Sequence, residues 1–339
     1  FSSCEYLHIA GSPSSRTNLL FFGEREAALD YMGFLFQHPP FNQKDLFNIY
    51  FINQEPECTY YKNVALFCYS RELLQKAAAC PHDAIVVLKE TESDIRASAF
   101  QGIASINTRL PKTVLLHELG HVLAGFDEEY LAGYNPGIKS PNCKISCESF
   151  PNPGSCFAEC SNSNHYRSSE NSVMRTLNLP DLTAPFGEHN RIFLSTLFEE
   201  RTVFLTGRAI DEGYCESQNY ILAEGEIKGE TITITDADKE TGCTASSDVG
   251  TLSVTLQQQD GTPVSEFKTD SLRVFTDGQT SSSIGDNLPI DGETFDYEGT
   301  IYLAIPDVSG FEKVSFKDEK NIFLGEFFIT QQNNQLCPV

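Results

Sequence analysis

Tryptophan is absent from this 339-residue chain, and methionine occurs only twice, at Met32 and Met174, so each can be weighed singly. Long apolar runs are missing as well: none approaches the ~20 residues that a membrane-spanning helix requires, so no membrane span is expected. Cations are scarce, with 24 Lys and Arg against 47 Asp and Glu, a net charge of −23. A surface this acidic repels phosphate backbones and anionic headgroups, which argues against a nucleic-acid partner. Its plain reading is solubility, with calcium binding or a salty habitat as lesser ones. The chain opens on Phe1, and whether a signal or pro-segment precedes it is not written in these residues.

Cysteine, in contrast, is plentiful. Eleven are spread unevenly over the chain, from Cys4 to Cys337. In an acidic chain of this size that points to disulfides and an oxidising compartment: extracellular or secreted, cell-surface or periplasmic. The odd count leaves at least one thiol unpaired or bonded outside the chain. Cys143, Cys147, Cys156 and Cys160 stand in two pairs, each four apart. Four such thiols can bind a structural zinc, or form two disulfides that staple a loop. The oxidising composition favours disulfides, and four Cys allow three connectivities.

Apolar patterning divides the chain in two. Residues 17–23, 46–52 and 83–88 read as buried strands, and 24–37, 71–79, 112–124 and 190–204 as helices. The run 100–107 is a weaker strand whose Gly and Ser suit a sheet edge beside a cleft. Pro, Gly, Asn, Ser and Cys dominate 131–167, which reads as a loop region, Cys-rich over 140–165. Strand–helix alternation predicts an α/β layered domain over 1–207. Beyond it, short β-rich runs at 226–235, 250–257, 271–275, 300–305, 313–316 and 322–330 are separated by turn pairs such as Asp260-Gly261, Asp277-Gly278 and Asp291-Gly292. They predict an all-β sandwich domain over 208–339. That half contains no histidine and no cluster of catalytic residue types, so no chemistry is expected of it.

The chemistry concentrates in residues 113–130, TVLLHELGHVLAGFDEEY. His117 and His121 are four apart, a spacing that stacks two imidazoles on one helix face, where both can bind one Zn²⁺. Glu118 falls on the neighbouring rim, within reach of a water activated by the metal. Zn²⁺ lowers the pKa of such a water to ~7 and polarises a carbonyl, and an adjacent carboxylate can move the proton to the leaving amine. Val114, Leu115 and Leu116 mark the helix as buried, where two unpartnered histidines would be costly.

HELGH, then Gly125 and Glu128-Glu129-Tyr130, resembles the igalysin (IgA-peptidase-type) family of metzincin-like zinc metallopeptidases. The family's Asp of Asp-Glu-Tyr is Glu128 here, a departure. The segment 171–175 resembles the Met-turn that such enzymes carry beneath the metal, with Met174 as its methionine. The likeness spans roughly residues 17–200 and does not reach the C-terminal half. It implies a metzincin-like α/β zinc-peptidase domain followed by the sandwich, acting on a protein or peptide substrate. For the third ligand, ordinary metzincin spacing lands on Asp127, whereas counting from Gly125 lands on Glu128, which is favoured; Glu129 would then orient a ligand. A glutamate from a later helix (Glu159, Glu170 or Glu188) fits a different zinc-peptidase plan that the Met-turn argues against. Tyr130 and Tyr166 are candidate oxyanion-stabilising phenols, and His165 and His189 are further residues to place. The reading is a zinc-dependent endopeptidase with Glu118 as general base. Its rivals are an inactive zinc-bearing binding or adhesion module and an amidase acting on cell-wall or glycan material. The C-terminal half would bind a surface or partner.

Overall fold

A computed structural model describes residues 4–137, 139–151, 156–203, 215, 218–245, 250–269, 272–278, 291–332 and 335–337. The molecule is β-rich, with four α-helices among the described residues. The first half contributes strands β1 (Glu5–His8), β2 (Thr17–Phe22), β3 (Phe47–Ile52), β4 (Thr59–Tyr61), β5 (Ala65–Phe67), β6 (Ala84–Lys89), β7 (Ala97–Phe100) and β8 (Ile103–Asn107), then the hairpin β9 (Phe157–Cys160) and β10 (Asn162–Arg167). Its helices are α1 (Arg25–Leu35), α2 (Arg71–Ala77), α3 (Thr113–Ala124) and α4 (Gly187–Val203).

The apolar runs of β2, β3 and β6 pair in parallel, and every residue of β2 and β3 is buried. Uninterrupted apolar sequence is what a parallel strand covered on both faces demands. Leu19, Phe21, Ile49, Phe51, Val86 and Leu88 pack on the face that carries α1, α3 and α4. Their alternates Leu20, Phe22, Ile52, Ile85 and Val87 join the apolar side chains of the C-terminal strands on the other face.

The second half supplies β11 (Asn219–Lys228), β12 (Thr231–Thr241), β13 (Leu252–Gln257), β14 (Pro263–Thr269), β15 (Arg273–Gly278), β16 (Asp291–Asp296), β17 (Gly299–Pro306), β18 (Lys313–Lys317), β19 (Phe323–Phe328), β20 (Thr330–Gln332) and β21 (Gln335–Cys337). A five-stranded sheet, β17-β11-β12-β21-β20, and a four-stranded one, β14-β13-β18-β19, make the sandwich-like part. The run 226–235 proves to cover the end of β11 and the start of β12, because Gly229, at φ +57°, turns the chain between them.

Three expectations need correcting. The segment 100–107 is not one edge strand: Gln101 and Gly102, both at positive φ, form a two-residue turn between β7 and β8. β8 therefore lies inside the sheet, between β6 and β7. The C-terminal half is not confined to a sandwich: β15 and β16 leave it and complete an eight-stranded sheet of order β1-β3-β2-β6-β8-β7-β15-β16. Finally, Asp277-Gly278 and Asp291-Gly292 are not turns, since they pair with each other across β15 and β16.

Contacts beyond the sheet also join the halves. Tyr69 Oη donates to the Tyr302 carbonyl at 2.5 Å and accepts its N–H at 2.6 Å. Arg71 reaches Glu224 at 3.0 Å and also pairs with Asp238. Disulfides link Cys4–Cys80, Cys58–Cys68, Cys143–Cys160, Cys147–Cys156 and Cys215–Cys243. The four-Cys set is thus two nested bridges rather than a second metal site. The side chain of Cys337 lies outside the described residues.

Candidate metal centre

Helix α3 carries the centre. Its apolar run is followed by Gly125 at φ +61°, the left-handed conformation that closes a helix without a Cβ clash. The Phe126 N–H returns to the Gly120 carbonyl at 3.1 Å, completing the cap. All twelve residues of α3 are buried, including His117, Glu118 and His121.

The imidazoles are oriented by backbone carbonyls. His117 Nδ1 lies 2.8 Å from the Val173 carbonyl and His121 Nδ1 lies 2.7 Å from that of Phe126. A carbonyl can only accept, so each Nδ1 carries the hydrogen and each Nε2 presents a lone pair. The two Nε2 atoms face each other at 3.0 Å.

Two carboxylates converge on that point. Glu128 Oε1 stands 3.2 Å from His121 Nε2 and Oε2 stands 3.5 Å from His117 Nε2. Asp277 Oδ2 stands 3.0 Å from His117 Nε2 and 3.9 Å from His121 Nε2. Donor atoms of all four residues lie within 4.8 Å of one another, and all four side chains are buried. Both oxygens of Glu128, both of Glu118 and Oδ2 of Asp277 lack any hydrogen-bond donor. Buried anions and lone pairs turned on one another are costly unless a cation sits among them. The donor set is therefore one that could hold a metal ion.

Between the histidines and the carboxylates themselves the charges are strongly coupled, and a proton competes with a cation for the Nε2 lone pairs. Burial disfavours charge on His117, but the Asp277 and Glu128 carboxylates reverse this and hold its pKa well above 6.5. Burial also works against the Glu128 carboxylate, yet His121 and His117 hold it down to about 2. Burial, reinforced by the charge of Asp277, pushes the Glu118 carboxyl well above its ordinary range.

Supporting residues fix the rest. Glu129 accepts from Asn190 Nδ2 at 2.7 Å, from Asn142 Nδ2 at 3.3 Å and from the Ser172 hydroxyl, tying the ligand loop to α4 and to the Met174 segment. Met174 is fully buried, and its carbonyl accepts the Glu129 N–H at 3.0 Å. A Cβ on Gly120 would lie 2.5 Å from Met174 Sδ, so glycine at this position admits the methionine beneath the helix. Tyr130 Oη donates to Asp277 Oδ1 at 2.8 Å.

Other candidates lie elsewhere. Asp127 is turned away, bonded to Tyr134 Oη at 2.9 Å and to the Gly137 N–H at 3.2 Å, so of the two alternatives Glu128 joins the histidines. Tyr166 belongs to β10, where its backbone pairs with Lys144. His165 bonds Asn162 at 2.8 Å, and His189 Nε2 bonds the Pro141 carbonyl at 3.1 Å. Glu188 is exposed and paired with Arg191. Asp277 is the donor that the sequence does not reveal, because it comes from the half of the chain without histidine or a cluster of catalytic residue types. The only hint was an Asp-Gly pair, which sequence alone reads as a turn.

Compared with known protein families and with curated proteins, the chain matches none.

Beside His121 lies a cavity of about 420 Å³, floored by Val122, Phe126 and Phe193, with Arg273 and Phe275 of β15 in its wall. Phe275 stacks on the His121 ring, centroids 4.1 Å apart and planes 13° from parallel. No helix among the described residues is long and apolar enough to cross a membrane.

Proposed function

We propose that the chain is a zinc-dependent endopeptidase of metzincin-like type, with His117, His121 and Glu128 as metal ligands and Glu118 as general base. The observation that carries this reading is the convergence of two carbonyl-anchored imidazoles and Glu128 on one point, with Glu118 beside them on the same helix.

Zinc is the metal that suits the set. A tetrahedron with arms of ~2.0–2.1 Å has edges of about 3.3–3.4 Å. The separations among His117, His121 and Asp277 of 3.0, 3.0 and 3.9 Å lie on either side of that length, and Glu128 brings one oxygen to 3.2 Å from His121 and the other to 3.5 Å from His117. Two imidazoles with two carboxylates form an N/O set that zinc accepts. When bound, zinc would polarise the substrate carbonyl and acidify a water.

The chain's own residues do the remainder. Glu118, buried and with both oxygens free of donors, takes a proton from the attacking water and passes it to the leaving amine. Its raised pKa suits a group that must both accept and release a proton. Tyr130, whose phenol is held protonated by burial and by Asp277, is a donor that can serve a developing oxyanion once Asp277 is elsewhere. Glu129 and the Val173 and Phe126 carbonyls keep the ligands aimed. The disulfides fit a protein of an oxidising compartment.

One observation favours a second reading. Four protein donors form a closed shell, the mark of a structural zinc, whereas catalytic sites keep one position open. In that case the metal would simply staple β15 to α3. Replacing Glu118 by Gln separates the two. A peptidase loses turnover on an unstructured peptide by about 10²–10⁴-fold and keeps its zinc. If no form of the zinc-loaded protein cleaves peptides, the structural reading replaces this one.

A further inference from the structure

We infer, resting on the peptidase reading, that the β15–β16 hairpin is an internal inhibitor: β15 lies where an extended substrate would pair with β7, and Asp277 closes the donor set. Three of the four donors come from residues 117–128 and belong to the helix and its exit loop. The fourth arrives from the other half of the chain on the penultimate strand of the sheet. That strand covers the edge of β7, which would otherwise be the sheet's outer edge. Phe275, Thr276 and Asp277 pair antiparallel with Ala99, Ser98 and Ala97.

The strand is fitted to the site by both faces. Alternation along it sends Phe275 and Asp277 toward α3, where one lies on His121 and the other reaches His117. Val274 points the opposite way, into the core shared with the C-terminal strands. Gly292 of β16, opposite Asp277, leaves no room for a side chain: a Cβ there would collide with Tyr130 Oη and Asp277 Oδ1. Phe275 and Arg273 line the cavity beside His121, so withdrawing β15 removes part of its wall next to the metal group.

What β15 presents is what a substrate-like inhibitor requires. It supplies backbone for the β7 edge, an aromatic ring over one ligand and a carboxylate at the position a scissile carbonyl would need. Its neighbour β16 is the terminal strand of the sheet, with Glu293 and Asp296 exposed. The hairpin can therefore leave without dismantling the strands behind it. In the docked state neither water nor peptide reaches Glu118, which is wholly buried.

The test uses the full-length, zinc-loaded protein, a peptide hydroxamate as the probe of the metal group, and amide hydrogen exchange across residues 97–99 and 273–277. Gly292→Val forces the hairpin out by crowding Tyr130 and Asp277 while leaving every donor residue in the sequence, and Asp277→Asn weakens the metal contact while keeping the side chain's size. Both variants should bind the hydroxamate at least tenfold tighter than the unaltered chain. Gly292→Val should also lose exchange protection across 273–277, and adding the hydroxamate to the unaltered chain should lower protection there. If the unaltered chain binds the probe and cleaves peptides as well as both variants do, with β15 still protected, the inhibitor proposal falls and the peptidase reading stands. If no form binds the probe or cleaves peptides while zinc stays stoichiometric, both fall together. Asp277→Asn carries the test should Gly292→Val fail to fold.

Discussion

Gly120→Ala puts a number on the support that Met174 gives the metal helix. In an unconstrained helix interior this change stabilises by about 1 kcal/mol, because glycine loses the most backbone freedom on folding. Here the new methyl would sit 2.5 Å from Met174 Sδ, 3.3 Å from Met174 Cε and 3.2 Å from Phe126 Cδ2. Met174 and Phe126 are both essentially unexposed, so neither can swing into solvent. Overpacking of this kind costs about 1–3 kcal/mol. Set against the propensity gain, the net result is a loss of up to about 2 kcal/mol. The displacement also reaches the metal group: Val173, next to Met174, holds His117 Nδ1, and the Met174 carbonyl holds the loop that bears Glu128. Loss of such support typically lowers metal affinity 10–100-fold. The assay is urea unfolding of the protein with and without zinc, alongside chelator competition for the metal. A Met174→Ala background should relieve the clash, so a double-mutant cycle should return a favourable coupling between the two changes. A Gly120→Ala protein that is about 1 kcal/mol more stable, with unchanged zinc affinity, would refute the argument.

Glu128→Ala should weaken zinc binding by more than the 10–100-fold expected for a supporting residue, whereas Asp127→Ala should leave affinity nearly unchanged; isothermal titration with zinc checks both. Removing zinc with a chelator should lower unfolding free energy by about 2.7 kcal/mol relative to protein held at a hundredfold excess of metal over its Kd, read from urea midpoints. His82 is buried beside the Cys80 carbonyl, and burial lowers its pKa below 6.5. The unfolded state then binds the extra proton, so the contribution of this residue to stability should fall as pH drops below ~6.5; the stability difference between the unaltered chain and a His82→Gln chain, both metal-stripped, should shift in favour of His82→Gln between pH 7 and 5 in unfolding curves. On chain entropy alone, opening Cys4–Cys80, with its separation of 76 residues, should cost about 4.5 kcal/mol, against about 2.5 kcal/mol for Cys147–Cys156 with its separation of 9. Paired Cys→Ser variants compared by denaturation would reverse that order if the reasoning fails.

Local periodicity carried far in this chain. The spacing of His117, Glu118 and His121 defines one helix face wherever the helix lies, and Gly125 marks its end. The unbroken apolar runs of β2, β3 and β6 signal strands covered on both sides. Met174 could be singled out because methionine is so rare here; that it packs against Gly120 was not legible in the sequence. Between Asp127 and Glu128 spacing alone could only lean. The decision came from Tyr134 and the Gly137 N–H drawing Asp127 away, which depends on how the loop folds back.

Other features were out of reach of any local pattern. Gln101-Gly102 divides one apolar run into two strands, because two residues at positive φ reverse the chain without interrupting its hydrophobicity. Asp277-Gly278 carries the composition of a turn, yet here glycine serves close packing rather than reversal: a side chain at Gly278 would strike Arg96. Periodicity reports what lies along a strand or around a helix, over a few residues. It holds no record of which distant strand pairs with which edge. The amino-acid sequence by itself determined two imidazoles and a carboxylate on one buried helix. Tertiary structure decided that the fourth donor is Asp277, because only the pairing of β15 with β7 brings a residue from the far half of the chain to within 3.0 Å of His117.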